Sequence, residues 1–302
     1  MPSLHHRILA GAYYPLKLAK AIGRPLGLTT PHRLRVLLYH DIAPHDQVRF
    51  AAQLRWLAST WTFVTPERFA AMVSGEEPIR GSNLLLTFDD GFSSNRVVAE
   101  EVLNPMGIRA LFFVVSDFVD LVDRDNARYF IAKHIQPGSH ADELPAHWYN
   151  MGWADLEALL EQGHCIGGHT RTHARLSQID AELDLEREIV ASADVLAQRL
   201  GVPIEHFAYT FGDLASFSDK ALAVARRRFR FIYSGLRGDN AGGVSPLALR
   251  RDASALQDSF FNYTVFSNSL LGAFLEGAAD FKYDRDIALL SSWSRLVNEA
   301  SG

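Results

Sequence analysis

The chain has 302 residues, 48% of them hydrophobic and 22% charged, which excludes a disordered polymer and suits one large α/β domain, because single cores stop growing only near ~250 to 300 residues. A net charge of −5 supplies no basic field for phosphates and excludes nucleic acid as an expected partner. The single cysteine, Cys165, rules out an intrachain disulfide and a thiolate metal cluster, so a metal would have to sit on imidazoles and carboxylates.

Residues 1–30 form an amphipathic N-terminal segment in which Arg7, Lys17, Lys20 and Arg24 interleave with Ile8, Leu9, Leu16, Leu18 and Ile22. The pattern suits either peripheral contact with an anionic membrane or a helix packed on its own domain. Tyr13, Tyr14, Pro15 and Lys17 interrupt the apolar stretch, and no long apolar region precedes a small-residue cleavage site. The expectation is a cytoplasmic protein, with membrane association left open. No run approaches the ~18 apolar residues of a spanning helix.

From residue 31 to 302 short apolar runs alternate with helical stretches, as in β/α units around a parallel sheet. Strands are expected at 35–39, 84–88, 110–115, 165–168, 207–211 and 230–234, all lacking the polar alternation of a half-wet sheet. Helices are expected at 47–59, 66–73, 94–103, 153–161, 181–200 and 219–228. Thr65 before Pro66 reads as an N-cap and first-turn proline, and Gly163 and Gly201 as C-cap glycines. Residues 117–149, with Pro137, Gly138, Ser139 and Pro145, fit no single element. They read as a long loop or inserted subdomain over one barrel end, a kind of segment that usually carries function. A second, Gly-rich loop follows at 235–246. The apolar stretch 258–274 suits core or an oligomer contact, and the oligomeric state stays open. With no internal repeat and no linker, one domain over 31–302 is the expectation.

Two constellations carry chemistry. Thr87, Phe88, Asp89, Asp90 and Gly91 stand where an apolar strand exits, and paired carboxylates there resist desolvation unless a cation compensates them. Adjacent side chains at a strand end point different ways, so one carboxylate could bind metal while its neighbour takes a proton. An Asp-Gly turn capping the next helix is the alternative. The second constellation is GHTRTH, with His169 and His173 directly after the 165–168 strand. This spacing brings two imidazoles within reach of one ion, although two histidines four apart also occur incidentally. Together the constellations fall at carboxyl ends of strands, where α/β barrels gather their active sites, and one carboxylate with two imidazoles leaves a position open for water.

TFDDG, followed by HTRTH in the context GHCIGGHTRTH, resembles the first two motifs of the polysaccharide deacetylases, carbohydrate esterase family 4, homologous to the rhizobial chitooligosaccharide deacetylase. The resemblance covers roughly residues 35–252, with RVLLYHDI and FAYTFG as weaker matches. It implies a distorted (β/α) barrel with about seven parallel strands that removes N-acetyl groups from amino sugars of a polysaccharide, oligosaccharide or lipid-linked precursor. It implies Asp89 as catalytic base, and Asp90, His169 and His173 as ligands of one divalent metal: Zn²⁺ first, with Co²⁺, Ni²⁺ or Fe²⁺ as alternatives. Thr170 would brace the ligand loop, and a backbone N–H in the Thr210 to Phe211 turn would face the oxyanion.

The chain departs from the family pattern twice. Ala208 stands where many members carry the Arg that pairs with the base, and Arg250 or Arg251 could supply that charge or form a surface pair. No His follows His206 to match the late Leu-x-His acid. His40 occupies the place of a first-strand His that can reach the same cavity, unless it is bonded to Asp41 or to backbone. His164 is expected to pack under the metal loop. Trp148, Tyr149 and Trp153 suit sugar stacking or a loop-packing cluster. Two other functions compete: a degenerate carbohydrate-binding homologue, and a metal-dependent amidohydrolase on a non-sugar amide.

Overall fold

The computed structural model describes residues 4–23, 25–27, 32–253 and 264–299. Apolar runs form β1 (Arg33–Tyr39), β2 (Thr62–Phe63), β3 (Ser82–Phe88), β4 (Leu111–Val114), β5 (Cys165–Gly168), β6 (His206–Ala208), β7 (Phe231–Tyr233) and β8 (Asp252–Ala253). Between and around them lie α1 (Leu4–Gly23), α2 (Gln47–Ala58), α3 (Pro66–Val73), α4 (Ser93–Val98), α5 (Ser116–Val119), α6 (Arg124–Phe130), α7 (Trp153–Glu161), α8 (Glu182–Glu186), α9 (Ser192–Leu200), α10 (Asp219–Ala225), α11 (Thr264–Leu275) and α12 (Asp284–Glu299). Among these residues no helix is long and apolar enough to cross a membrane.

The strands run in the order β7-β6-β5-β4-β3-β1-β8, with β2 paired to β3, and every pairing is parallel. This is the expected distorted barrel. Its edges meet through one segment: Leu249 bridges Tyr233, and two residues on from Arg251, Ala253 pairs with Leu38.

Alternation along each strand sorts the core into two layers. Leu84, Leu86 and Phe88 of β3 pack outward with Phe112, Ile166, Phe207 and the helices. Leu85 faces inward with Leu34, Val36, Leu111, Phe113 and Tyr233. Continuing this period through Thr87 puts Asp89 on the inner column at the carboxyl end. Gly167 of β5 is required by close approach, because a Cβ there would stand 2.6 Å from the Phe113 ring.

Several expectations shift. The strand expected to reach residue 211 ends at Ala208, because Phe211 lies at φ 62° and cannot stay in a ladder. Helices expected at 94–103 and 181–200 are continuous but carry π-helical turns at Ala99–Leu103 and Arg187–Ala191. Thr65 caps α3 by accepting from the Arg68 amide at 3.3 Å. The 117–149 stretch is a helical insertion, in which α5, α6 and a π turn at Ile131–Ile135 gather Phe118, Ala127, Ile131 and Leu144 into their own core with Phe92. Within 258–274, positions 258–263 lie outside the described residues; α11 packs on α1 through Leu270.

Candidate metal centre

Asp90, His169 and His173 converge. One ligand atom from each lies within 4.8 Å of the others, with both Nε2 atoms near one oxygen, Asp90 Oδ1, at 3.4 and 3.3 Å. Asp90 follows β3 and the two histidines follow β5, so the strands deliver them to the same barrel mouth. The turns that do this are strained. Among the described residues, the positive-φ non-glycine positions are Asp90 at 75°, Thr170 at 64°, His173 at 61° and Phe211 at 62°, each costing on the order of 1–3 kcal/mol. Gly91, at φ 92° beside Val114, lets the chain leave the paired carboxylates.

Second partners fix the imidazoles. His169 Nδ1 donates to the Ala208 carbonyl at 2.7 Å, and His173 Nδ1 to the His134 carbonyl, on the insertion, at 2.9 Å. In that tautomer both Nε2 lone pairs face a buried carboxylate oxygen that receives no hydrogen bond from the described residues. Three electron-rich atoms aimed at one another are tolerable only with a cation among them, and two imidazoles with one carboxylate suit Zn²⁺. With no ion between them, protons on the imidazoles meet the same need. Burial opposes the charge of Asp90, yet His169 and His173 outweigh it and hold its carboxyl well below the usual range. Burial likewise opposes a charged His169, but Asp89 and Asp90 overcome it and raise its pKa.

Asp89 stands beside this cluster, 3.9 Å from His169 Nε2, on the inner column that β3 predicts. Arg251, with no exposed surface, donates to both its oxygens at 2.6 and 2.9 Å. The guanidinium is itself held by the Ser234 carbonyl at 2.9 Å and lies 5.1 Å from the Phe113 ring centre. Of the two arginines expected to supply this charge, Arg251 reaches Asp89, while Arg250 bonds the Asp239 carbonyl.

The remaining residues divide. His40 follows β1 level with Asp89, exposed, and close enough to act on the charge of Asp90. The bland expectation for it fails in part, because Asp41 bonds elsewhere: its Oδ2 accepts from Trp148 Nε1 and contacts His147 Nε2, both at 2.8 Å. Trp148 is thus committed to Asp41 and packed at a tilt against Phe92, so its polar edge is not free for sugar. Trp153 is bonded to Asp120, and Tyr149 lies under Arg124. Thr210 is buried and gives its hydroxyl to the Ala174 carbonyl at 2.5 Å. Phe211 is 39% exposed, its ring 4.7 Å from His173, and its amide finds no acceptor among the described residues.

Thr170 does not brace the loop through its side chain, whose hydroxyl is buried without a hydrogen-bond partner. Glu188 does that work, accepting from the Arg171 and Thr172 amides at 3.1 and 2.9 Å and from the Thr172 hydroxyl at 2.8 Å. His164, at the start of β5, accepts from the Ala110 amide, and burial lowers its pKa to about 4. Neither Glu188 nor the Asp41–His147 pair has a signature in the sequence.

The polysaccharide deacetylase family model matches residues 77–228, which include both motifs and exclude His40 and Arg251. YxkH of Bacillus subtilis (strain 168), whose name places it among the polysaccharide deacetylases, is 30% identical over 153 residues, 49% of this chain and 46% of that relative, so the match spans about half its length. Among solved structures, IcaB from Ammonifex degensii superposes with TM-score 0.61 at 22% identity, over 81% of this chain and 97% of that one. The Streptococcus pyogenes deacetylase PplD, in complex with acetate, superposes with TM-score 0.58 at 20% identity, over 74% and 93%. The structural likenesses establish the barrel, and the family match across half the sequence establishes descent: this chain belongs to the polysaccharide deacetylase family.

Proposed function

We propose that the chain hydrolyses N-acetyl groups on amino sugars of a polysaccharide or related glycan, using one divalent metal held by Asp90, His169 and His173, with Zn²⁺ the ion of choice. The observation that carries this reading is the buried Asp90 oxygen faced by two imidazole nitrogens whose other nitrogens are tied to backbone. When bound, the ion supplies Lewis acidity toward a carbonyl oxygen and lowers the pKa of water.

The chain's own groups do the rest. Asp89, its carboxylate oriented by Arg251, takes the proton of the attacking water as general base. The Phe211 amide, without another acceptor, donates to the substrate oxygen as it gains negative charge. His40, at the exposed rim, protonates the leaving nitrogen. One water and one amide give acetate and a free amine. Residues 31–302 would act as one catalytic domain, with the 117–149 insertion walling one side of the mouth.

Acetate release from N-acetylglucosamine oligomers tests the reading. Wild type should release acetate, a chelator should stop it, and Asp89→Asn should abolish turnover while retaining the metal. A near-wild-type rate in Asp89→Asn removes Asp89 from its role. Metal binding without acetate release from N-acetylated glycans would favour the degenerate carbohydrate-binding reading, and release from simple amides alone would favour the amidohydrolase.

A further inference from the structure

Helix α1 is apolar on two sides. Its inner side seats Leu9, Ala10 and Tyr13 against α11 and Leu270, so closely that a Cβ on Gly272 would stand 2.5 Å from the Tyr13 ring. The same ring lies 5.8 Å from Trp56 of α2. A helix seated this way should turn polar residues outward. Instead Ile8, Tyr14, Leu18 and Ile22 are 59–63% exposed, and Leu26 just beyond the helix is 67% exposed. At 3.6 residues per turn these four helical positions fall within one arc of ~120°, opposite Leu9 and Tyr13.

The helices on this side of the molecule carry charge of one sign. The sequences of α1, α2 and α11 contain no Asp or Glu, while α1 carries Arg7, Lys17 and Lys20, and α2 carries Arg49 and Arg55. Across residues 1–40 there are Arg7, Lys17, Lys20, Arg24, Arg33 and Arg35 and no carboxylate, in a chain whose net charge is −5. Lys20 meets Glu276, and Arg49 meets Asp46; Arg7 and Arg55 are exposed. A second copy docking on this face would set cations against cations, which costs association energy. A surface of negative headgroups over an apolar layer meets both features at once.

We propose that α1, with the flanking side of α2, is a peripheral docking surface for an anionic lipid bilayer, the helix lying in the interface with Ile8, Tyr14, Leu18 and Ile22 immersed. Lys20 and Arg33 both meet Glu276, which ties the C-terminal end of α1 to the start of β1. Seven residues of strand, ~20 Å, separate that point from the level of the metal centre, so docking leaves the mouth accessible.

Flotation of the full chain with vesicles tests this. Vesicles of phosphatidylcholine containing phosphatidylglycerol should carry the wild type, vesicles of phosphatidylcholine alone should carry far less, and added salt should weaken the binding. The double variant Leu18→Glu with Ile22→Glu should stay with the soluble fraction at an unchanged thermal midpoint, since both positions are exposed. Arg7→Gln, a milder change, should lower partition about fivefold. The proposal is overturned by a wild type that ignores phosphatidylglycerol vesicles or binds both kinds equally, or by variants that bind as the wild type does. It is also overturned if light scattering finds a lipid-free dimer that the double variant converts to monomer, since the face would then be covered by a second copy.

Discussion

At the base of the barrel, Arg35 gives its terminal nitrogens to Asp252 at 3.1 Å and to Asp280 at 2.5 Å, and Arg33 forms a two-pronged pair with Glu276 at 2.7 and 3.0 Å. At the mouth, Arg251 completes such a pair with Asp89, but Asp90 beside it is left facing two nitrogen lone pairs, with no donor among the described residues. Both ends bury charge, and both histidine and carboxylate occur at each. The base neutralises its charges among themselves, whereas the mouth keeps one cluster unfinished and spends backbone strain at four positions to hold it so. Incomplete pairing held by strain marks the place where something must bind.

The largest effect should come from finishing or erasing that cluster. Asp90→Gly removes the shared ligand and relieves its positive φ, so acetate release should fall on the order of 10⁴-fold, about 5 kcal/mol of barrier. Metal content by elemental analysis should drop to none, while the stability of the metal-free chain stays within about 1 kcal/mol of the parent. Arg35→Met should do the reverse. It strands buried carboxylates and should cost about 3–5 kcal/mol in urea unfolding, with normal metal content in the folded fraction. If the two variants lose equal stability, the distinction between a structural and a binding end is broken.

A smaller effect sharpens the picture inside the mouth. Truncating His40 to Ala should lower kcat about 100-fold, near 3 kcal/mol, with KM and stability little changed. His147, held by Asp41 on the same rim, is the control, and His147→Ala should retain most activity. Were the pattern inverted, the proton donor would be the imidazole that a buried carboxylate orients, and His40 would be a bystander.

How much of this the sequence disclosed follows from the range of each interaction. The paired carboxylates and the HxxxH spacing are local, and strand alternation carries them to one end of the barrel, so the convergence of Asp90, His169 and His173 was legible in the sequence. Arg251 lies 162 positions from Asp89, and the chain offered Arg250 as an equal choice; only the parity of the segment leading into β8 decides between them. Glu188 and the Asp41–His147 contact act across sequence gaps with no characteristic spacing, and nothing in composition points to them. The early end of β6 escaped notice because a phenylalanine at positive φ violates the preference by which strands are read. Two-residue strands such as β2 fall below any periodic signal.

The finest test of the comparison uses protons. Of the histidines, His169 at the mouth attracts them: Asp89 and Asp90 raise its pKa against the cost of burial. Those at the base refuse them. His206, at the start of β6, is pushed down to about 3 by burial and then by Arg230, with Nδ1 on the Tyr233 hydroxyl at 3.0 Å. Because the folded value lies below the unfolded ~6.5, the unfolded chain alone takes up a proton as pH falls through 6.5. Folding stability should therefore be complete above that pH and decline by about 1.4 kcal/mol per pH unit for this residue between 6.5 and 3. Urea midpoints at pH 7.5 and at pH 5.5, roughly one unit either side of the unfolded value, should separate for the wild type and draw together in His206→Asn. An identical acid loss in that variant would shift the acid sensitivity to other groups, and with it the claim that the base is built to exclude charge it cannot pair.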